Sequence, residues 1–587
     1  MALILSLQFY FNDKAQQDIL DEIQHLSNSI NIATNSYYQD VLKSLRENYP
    51  PPKSKTGHKS YFTTRVEGQD LFFELNDEIR RVQDLQKELN IEKGQGYEQL
   101  IEADKDLRIR KDEIENFNQP HLEILHEWQI DNQLLLNNNL FYTKGYGFFD
   151  YDGSWGWADY FRLNAGEHFD PNEVSNPFDD VLIRAYVDND QMGWLPQLTI
   201  KTDKGDMILG VELRRHRSLH WGRIQKADSL TDNLVGSGGH RYYEYKGGKD
   251  IFSIYFHQNY EWYEDVILQA DLQYTYKKYL LYDEKYLKND FSVPYNFVNP
   301  RIGLNYNFTN NSNIYFSFYS TMREPRLKNL YDAAESSGGE VPQFEKNMDG
   351  SFNYDKPLVK PEILTGLELG YGYNSSLFSG SLNLYYMNFK DEIIASGGVD
   401  RFGQPITGNA EKTLHYGIEF SGQYSPLSYL GFTGNFSFSK NELKTYRYYA
   451  SDPSFFEEAN LKYTTQNGPE GTTYYADLDG KPIAGFPTML ANLRATYTWQ
   501  DIYTSLGVKY VGASYTDNFK IRDHKLDAYT VLNLAINYNL KSWGAPMLSL
   551  QGKFNNLMDS KYLSFGEGIA FFPAAGRNYF VTLKMEL

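Results

Sequence analysis

The segment Gly-Arg-Asn-Tyr-Phe-Val-Thr-Leu-Lys-Met-Glu-Leu, residues 576–587, ends the chain with a two-residue alternation. One side of an extended segment would carry Tyr579, Val581, Leu583, Met585 and Leu587, and the other side would carry mostly polar residues. A period of two predicts a β-strand. A long strand at the end of a chain needs a neighbour on each side, because a free edge exposes unpaired backbone groups. A closed barrel supplies both neighbours.

The composition excludes several classes of function. A net charge of −19 argues against a nucleic-acid partner, because phosphate binding requires clustered lysine and arginine. The chain has no cysteine, which excludes disulfides, thiol catalysis and cysteine-bound metals. No apolar run reaches the ~18 residues that a transmembrane helix needs. The 49 tyrosines and 37 phenylalanines suit β-strands and the aromatic girdles of a membrane barrel.

The same alternation recurs from His121 to the end of the chain. The second face carries Asn, Gln, Ser, Thr and charged residues in one segment after another. The alternating segments predict strands of about ten to fourteen residues, whereas soluble sheets average roughly five or six. Clear examples are 134–148, 207–213, 268–277, 301–308, 413–424 and 532–540.

The connections between these segments alternate between short and long. This regularity predicts an outer-membrane barrel, with short turns at the periplasm and long loops outside the cell. Counting the first segment of the chain, we expect an antiparallel transmembrane β-barrel of about 18 strands, an even number as in bacterial single-chain barrels. The predicted long loops are 149–193, 217–249, 281–299, 322–362, 394–412, 444–487, 515–526 and 558–575.

Residues 1–118 depart from the alternation after one predicted strand, Leu3 to Phe11. Apolar residues from Ile19 to Ile30 and from Phe72 to Leu89 recur at helical spacing, and Asp13 is a candidate N-cap. We therefore expect a first strand and a charged helical insertion in residues 1–118, followed by the barrel in residues 119–587. The order of turns places the insertion outside the cell. It is interpreted as a solvated amphipathic surface, with a coiled-coil partner site as the alternative.

Several segments resemble the barrel of TonB-dependent outer-membrane receptors, particularly those of Bacteroidetes. The segment 320–331, with Arg323-Glu324-Pro325, is similar to the family's "REP" loop signature. Residues 359–370 resemble its "LKPE…YELG" strand start, and 409–419 its "NA…GVE" strand. Residues 554–562 resemble "VNNLFDKKY", and Gly576-Arg577 opens the last strand as in the family. The order and spacing of these motifs extend the resemblance from about Gln119 to Leu587.

The resemblance implies a transport barrel for a scarce, large ligand such as an iron–siderophore complex. Its implied partners are outer-membrane lipid, a small-molecule ligand such as a metal chelate and, if a plug domain is present, a TonB-type energy-coupling protein. The chain departs from the family pattern in three ways. Family barrels have 22 strands, no plug or TonB box is recognised before Gln119, and the family usually ends in an aromatic residue instead of Leu587.

Candidate ligand contacts are Trp155, Trp157 and Tyr160 in an aromatic loop, and Arg323 in the "REP" segment. Aromatic rings could stack on a planar ligand or belong to the outer girdle, and Arg323 could contact an anionic ligand or support the loop. His216 and His220 have metal-ligand spacing for a helix, but an ordinary polar strand end is the favoured interpretation. We expect no metal, cofactor or catalytic residue.

Two classes of function remain. The first is the transporter that the resemblance implies. The second is a passive pore, a surface receptor or adhesin, or a fragment that is inactive without a plug. An outer-membrane barrel enzyme would place Ser/His or Asp/His sets near the rim, and with 11 histidines no such set is found. We therefore expect a non-enzymatic transport barrel in the bacterial outer membrane.

Overall fold

The computed structural model describes residues 4–7, 112–163, 180–227, 230, 234–236, 240–399, 405–450, 452–468, 471–521, 524–545, 547–568 and 570–586. Apart from residues 112–118, the predicted helical insertion lies outside these described residues. No helix in the described part of the chain is long and apolar enough to cross a membrane.

The described chain is built from β-strands, with short helices confined to the connections. Two α-helices, α1 (Leu327–Leu330) and α2 (Ser454–Glu458), and two 3-10 helices, Ala333–Gly338 and Leu540–Trp543, lie between strands. The strands are β1 (Ile4–Leu7), β2 (Glu115–Asn118), β3 (His121–Gln129), β4 (Leu134–Asp152), β5 (Leu182–Thr202), β6 (Gly205–Lys226), β7 (Arg241–Tyr263), β8 (Val266–Tyr282), β9 (Phe291–Thr309), β10 (Ser312–Arg323), β11 (Phe344–Lys346), β12 (Phe352–Pro357), β13 (Glu362–Asn374), β14 (Phe378–Val399), β15 (Pro405–Leu427), β16 (Leu430–Thr445), β17 (Arg447–Ala450), β18 (Thr464–Gly468), β19 (Gly471–Asp477), β20 (Met489–Trp499), β21 (Ile502–Val511), β22 (Ser514–Tyr515), β23 (Lys525–Leu526), β24 (Tyr529–Asn539), β25 (Leu548–Asn555), β26 (Leu563–Glu567), β27 (Ala570–Pro573) and β28 (Asn578–Glu586).

One antiparallel sheet of nineteen segments forms the barrel wall. Two of these segments, β2 and β3, pair end to end with β4 and are separated only by Gln119-Pro120, so the wall has eighteen strand positions. From β3 onward every barrel strand pairs with the next barrel strand along the chain, and β28 returns to pair with β1 through Leu583 and Leu7. Among the described residues, no ladder joins β1 to β3. The predicted antiparallel barrel of 18 strands is therefore confirmed.

The connections separate the two ends of the barrel. Turns such as 203–204, 264–265 and 310–311 join strands at one end, which we call the short-turn end. The connections 324–361 and 446–488 lie at the opposite, long-loop end and contain the two α-helices and two of the four small extra sheets. The predicted segregation of turns and loops is thus confirmed.

The predicted loops are too long, because several strands continue far beyond the segments that the alternation indicated. β9 shows the physical reason. Between Ile302 and Phe308 the even-numbered residues are exposed apolar side chains, whereas Phe291, Val293, Tyr295 and Phe297 are buried on the opposite face. The apolar face of one strand therefore changes sides, so a search for a single continuous pattern stops at the change.

The exposed apolar side chains form a band around the outside of the barrel. On β8 this face runs through Leu268, Leu272 and Tyr274 and becomes charged at Lys278. That length matches the ~25 Å apolar band of an outer-membrane barrel. A girdle of exposed aromatic residues borders the band at the short-turn end. It is formed by Trp128, Tyr260, Trp262, Tyr306, Phe308, Tyr371, Tyr373, Tyr424, Tyr429, Tyr497, Trp499 and Trp543.

The inward-facing side chains are polar through the same depth, and they are linked from strand to strand. Ser253 lies 3.1 Å from Thr275 through the two hydroxyl oxygens, and Gln273 donates to the Ser253 hydroxyl at 3.0 Å. Asn299 donates to Gln273 at 3.4 Å. These lateral hydrogen bonds satisfy polar groups that face the lumen, so the wall separates a polar interior from an apolar exterior.

Two tyrosines of β10 lie flat across glycines of β13 on the lumenal face. A Cβ added at Gly370 would lie 2.0 Å from the ring of Tyr315, and one added at Gly366 would lie 2.3 Å from the ring of Tyr319. Such aromatic cover of a strand glycine fixes the register of the pair.

We expect Gly370→Ala to displace the Tyr315 ring and to destabilise the barrel by about 1–2 kcal/mol. Gly507→Ala is the matched control, because a Cβ there would meet only a backbone oxygen at 4.0 Å. Urea unfolding in lipid vesicles, followed by the mobility shift of the folded barrel, measures both variants. Equal stability of the two would show that the tyrosine cover does not contribute.

Candidate ligand-binding mouth

The long-loop end of the lumen, which we call the mouth, is filled by chain that folds inward. Four residues of the connection 324–361, Leu330, Tyr331, Ala333 and Phe344, share one buried apolar core with lumenal side chains of β8 and β9. The strand residues in that core are Leu281, Phe291, Val293, Tyr295 and Phe297. The connection therefore packs against the inside of the wall and narrows the mouth.

Glu324 anchors the inward-folded connection to the wall. Its carboxylate contacts the ammonium of Lys249 on β7 at 2.6 Å and that of Lys277 on β8 at 2.8 Å. Only 5% of the Glu324 side chain is exposed. Burial alone would raise the pKa of Glu324, but the hydrogen bonds from Lys249 and Lys277 outweigh burial and lower the pKa below its ordinary value. The carboxylate is therefore held in its charged form.

Arg323, the residue before this anchor, joins two segments that the sequence analysis identified separately. Its guanidinium forms a two-pronged ion pair with Glu362 at the start of β13, with Nε–Oε1 at 2.7 Å and Nη2–Oε2 at 2.9 Å. The backbone N–H of Ile393 on β14 also donates to Glu362, at 2.9 Å. Because 62% of the Arg323 side chain is exposed, it borders the lumen while its charge is paired.

Asn409 brings the third segment into the same network. Its amide donates to the carbonyls of Lys360 at 2.9 Å and Asp391 at 2.7 Å, and its oxygen accepts from the Lys360 N–H at 2.8 Å. The "REP", "KPE" and "NA" segments are thus one connected structure at the rim.

The fourth segment closes the connection between β25 and β28. Asn556 has a positive φ of 50° and donates to the carbonyls of Ser560 at 2.9 Å and Ala575 at 3.3 Å. Asp559 accepts from the backbone N–H of Arg577 at 2.7 Å. Asn and Asp tolerate the left-handed conformation and bond to nearby backbone, which explains their place in this turn.

The predicted aromatic site lies in a second buried core, formed by residues of the connection 153–181 and the upper ends of β5, β6 and β7. Tyr160 is only 1% exposed, so its ring offers no face for stacking in this structure. Trp155 and Trp157 are partly buried and meet Tyr160 edge-on, with ring centroids at 4.8 and 5.8 Å. The indole N–H of Trp155 donates to the carbonyl of Asp152 at 2.7 Å. Arg323 lies at the edge of the first core, where the connection 324–361 packs against β8 and β9. It therefore does not share a site with the aromatic residues Trp155, Trp157 and Tyr160 in this structure.

His216 and His220 both lie within β6 and not at its end. The ring of His220 stacks on Tyr245 with centroids 5.0 Å apart, and its Nε2 lies 2.9 Å from the Ser218 hydroxyl. Among the described residues, no group of three or more His, Asp or Glu side chains could hold a metal ion.

Thr516, Asp517 and Asn518, which are at most 2% exposed, form a polar clasp that no pattern in the sequence predicts. Asn518 accepts from the N–H of Ala484 at 2.8 Å and donates to the carbonyl of Ala395 at 2.7 Å, while Thr516 donates to the carbonyl of Gly568 at 2.6 Å. The clasp therefore ties together three neighbouring connections and β14. Thr, Asp and Asn are ordinary loop residues, so their sequence carried no signal of burial.

The eighteen-strand wall, the external apolar band and the inward-folded loops define an outer-membrane β-barrel whose lumen is narrowed at its outer face. The chain belongs to the TonB-dependent receptors: the family model "TonB dependent receptor-like, beta-barrel" matches residues 93–557. These barrels reside in the bacterial outer membrane, and the family consists of transport receptors and not of enzymes. The localisation and the family expected from the sequence are therefore confirmed.

Solved structures of this family share the fold. The ferric yersiniabactin uptake receptor FyuA from Yersinia pestis matches with a TM-score of 0.56 at 12% identity, covering 82% of this chain and 63% of FyuA. The ferric-catecholate import receptor Fiu from E. coli K12 matches with a TM-score of 0.54 at 14% identity, covering 81% of this chain and 65% of Fiu. The copper transporter OprC gives 0.55 at 14% identity, covering 81% and 66%. This chain thus spans less than two thirds of these receptors' length. No curated protein matches the chain.

We expect Glu324→Gln to release the connection 324–361 from the wall, because it leaves two partly buried lysines without their anion. Breaking a buried ion pair costs about 3–5 kcal/mol. Since the folded pKa is lowered, the anchor is fully present above the ordinary carboxyl pKa of about 4.5 and is lost as the pH falls through the folded value. Limited proteolysis of the reconstituted barrel should therefore cut this connection at pH 7 in the variant, and in the natural protein only in acid.

Glu345→Gln is the control within the same connection, because its ion pair with Lys356 is more than half exposed. Exposed pairs contribute little, so this variant should resist protease as the natural protein does. Identical cleavage of the two variants would show that Glu324 does not hold the connection.

Proposed function

We propose that this barrel forms part of an importer for a scarce, large ligand such as an iron–siderophore complex, energised by a TonB-type protein. The observation that carries the proposal is the mouth, where the connection 324–361 occupies the lumen and is fixed to the wall by Glu324. An open diffusive pore has no need of such an anchor. The similar proteins FyuA, Fiu and OprC are named for ferric yersiniabactin uptake, ferric-catecholate import and copper transport, and this supports the same class of cargo.

We assign ligand contact to Trp155, Trp157 and Arg323 and a supporting role to Tyr160. The two indoles are partly buried against the core beneath them, which would hold their rings in place for stacking. Arg323 presents an exposed side chain at the rim, and its ion pair with Glu362 would orient it. The buried ring of Tyr160 lies under both indoles, so its loss would disturb the loop and not a direct contact.

We expect the double change Trp155→Ala and Trp157→Ala to weaken ligand capture by roughly fivefold per ring, since each aromatic contact contributes about 1 kcal/mol. The measurement is uptake of radioactive iron from a panel of ferric siderophores, in cells whose only receptor is the complete protein that contains this barrel. Trp499→Ala is the control, because Trp499 is exposed in the aromatic girdle at the short-turn end, away from the mouth.

Uptake should also stop in cells that lack a TonB-type protein. Uptake that persists there would favour a passive pore, and failure of the whole panel would favour a surface receptor or adhesin. Unchanged uptake in the double variant would move the ligand contacts to other loops.

A further inference from the structure

Three cations face the lumen along one stretch of the wall, which is formed by β20, β21, β24 and β25. Arg494 lies on β20, Lys509 on β21 and Lys553 on β25, and all three are exposed. Their lumenal direction follows from the alternation, because Leu493, Leu506 and Leu550, which stand one or three positions before them, belong to the external apolar face. The three charges therefore lie on one side of the lumen.

These cations differ from those of the mouth. Lys249, Lys277 and Arg323 are all paired with glutamates. In the described part of the chain, Arg494, Lys509 and Lys553 form no ion pair and no side-chain hydrogen bond. Unpaired positive charges in a lumen attract anions, since low-dielectric walls concentrate the field.

Two of the cations line a recess of about 670 Å³ in the lumenal wall. Its other polar walls are hydroxyl and amide side chains, contributed by Ser379, Ser381, Ser421, Gln423, Thr433, Asn435, Asn492 and Asn533. Its volume lies within the range of roughly 300–1,000 Å³ for small-molecule sites. Gly507 lies between Arg494 and Asn533 in register, and a Cβ there would have no atom closer than 4.0 Å, which leaves room beside the guanidinium.

The recess has no carboxylate among its lining residues. The next inward position above Ser421 is Glu419, which borders the recess on the side away from the cations. An occupant with a negative end toward Arg494 and Lys509 would meet hydroxyl and amide side chains on the adjacent strands, at Thr433, Asn492 and Asn533.

We propose that this recess is a binding site for a hydroxylated carboxylate anion inside the lumen, separate from the mouth. Arg494 and Lys509 supply the charge, and the surrounding hydroxyls and amides supply hydrogen bonds to carboxylate and hydroxyl oxygens. The inference rests on the proposed function, because an imported anionic ligand that leaves the mouth would reach this wall next. Lys553 extends the positive strip toward the closing strand.

The absence of cysteine in the chain allows the local potential to be measured with single cysteines. Thr433→Cys places a thiol directly across from Arg494, and Ser317→Cys places one directly across from Glu368 on β13. Both are small hydroxyl residues on the lumenal face. Each thiol reacts with sulfonatoethyl methanethiosulfonate, which is anionic, and with its trimethylammonium counterpart.

The ratio of anionic to cationic reaction rates should be about tenfold higher at residue 433 than at residue 317 in low salt, and the difference should shrink as salt screens the field. The double change Arg494→Gln and Lys509→Gln should bring the ratio at 433 close to that at 317. Each ratio is internal to one variant, so differences in folding or access cancel. If the ratios at residues 433 and 317 were equal with Arg494 and Lys509 in place, the proposed positive potential at this part of the wall would be wrong.

Binding itself is tested with citrate as the probe and the uncharged triol glycerol as its control. Citrate should slow the reaction of the thiol at 433 with a neutral maleimide by more than tenfold, and glycerol should not. The protection should disappear in the Arg494→Gln, Lys509→Gln background. Equal protection by both solutes, or none by either, would overturn the site. These readouts need no import, so they stay informative if the proposed cargo or its energy coupling is wrong.

Discussion

The structure depends on one constraint, which is that every backbone N–H and C=O inside a bilayer needs a partner within the protein. A sheet meets this constraint only if its edges are closed. Here each barrel strand from β3 onward pairs with the next along the chain, and the last strand returns to the first described one through four residue pairs from Ile4–Glu586 to Leu7–Leu583. The alternating pattern of residues 576–587 therefore reflects a strand with lipid on one face and water on the other.

A second consequence follows at the height where the lipid ends. Above the band the outside of the wall meets water, so its side chains become charged, as at Lys278 on β8 and Arg217 on β6. The lumenal face is then free to become apolar, and the inward-folded connections use it as the base of a core. β9 records both environments in one strand, with Phe291 to Phe297 facing a protein core and Ile302 to Phe308 facing lipid. The receptor mouth is thus built by inverting the pattern that builds the membrane wall.

The sequence predicted the barrel, its antiparallel order, its eighteen strands and the segregation of its connections, because these follow from a period of two and from loop length. It did not predict how far the strands extend, because the inversion on β9 and β6 interrupts the period. The motif residues Arg323, Glu362, Asn409 and Asn556 were placed correctly in their segments, yet only the fold reveals that three of these segments bond to one another. The sequence alone indicates Tyr160 as a ligand contact, because aromatic loop residues resemble stacking sites, whereas the burial of its ring depends on strands distant in sequence. The clasp of Thr516, Asp517 and Asn518 and the unpaired cations Arg494 and Lys509 also depend on such neighbours.

The most direct test of this account is a spin-label scan along β9 in reconstituted vesicles, measuring collision rates with oxygen, which dissolves in lipid, and with a nickel chelate, which dissolves in water. The account predicts that oxygen access peaks at residues 302, 304 and 306 and nickel access at 303 and 305. From 291 to 297 the odd-numbered positions should be shielded from both reagents. Equal nickel access on both faces from 302 to 306 would contradict the membrane wall, and open nickel access at 291, 293 and 295 would contradict the closed mouth.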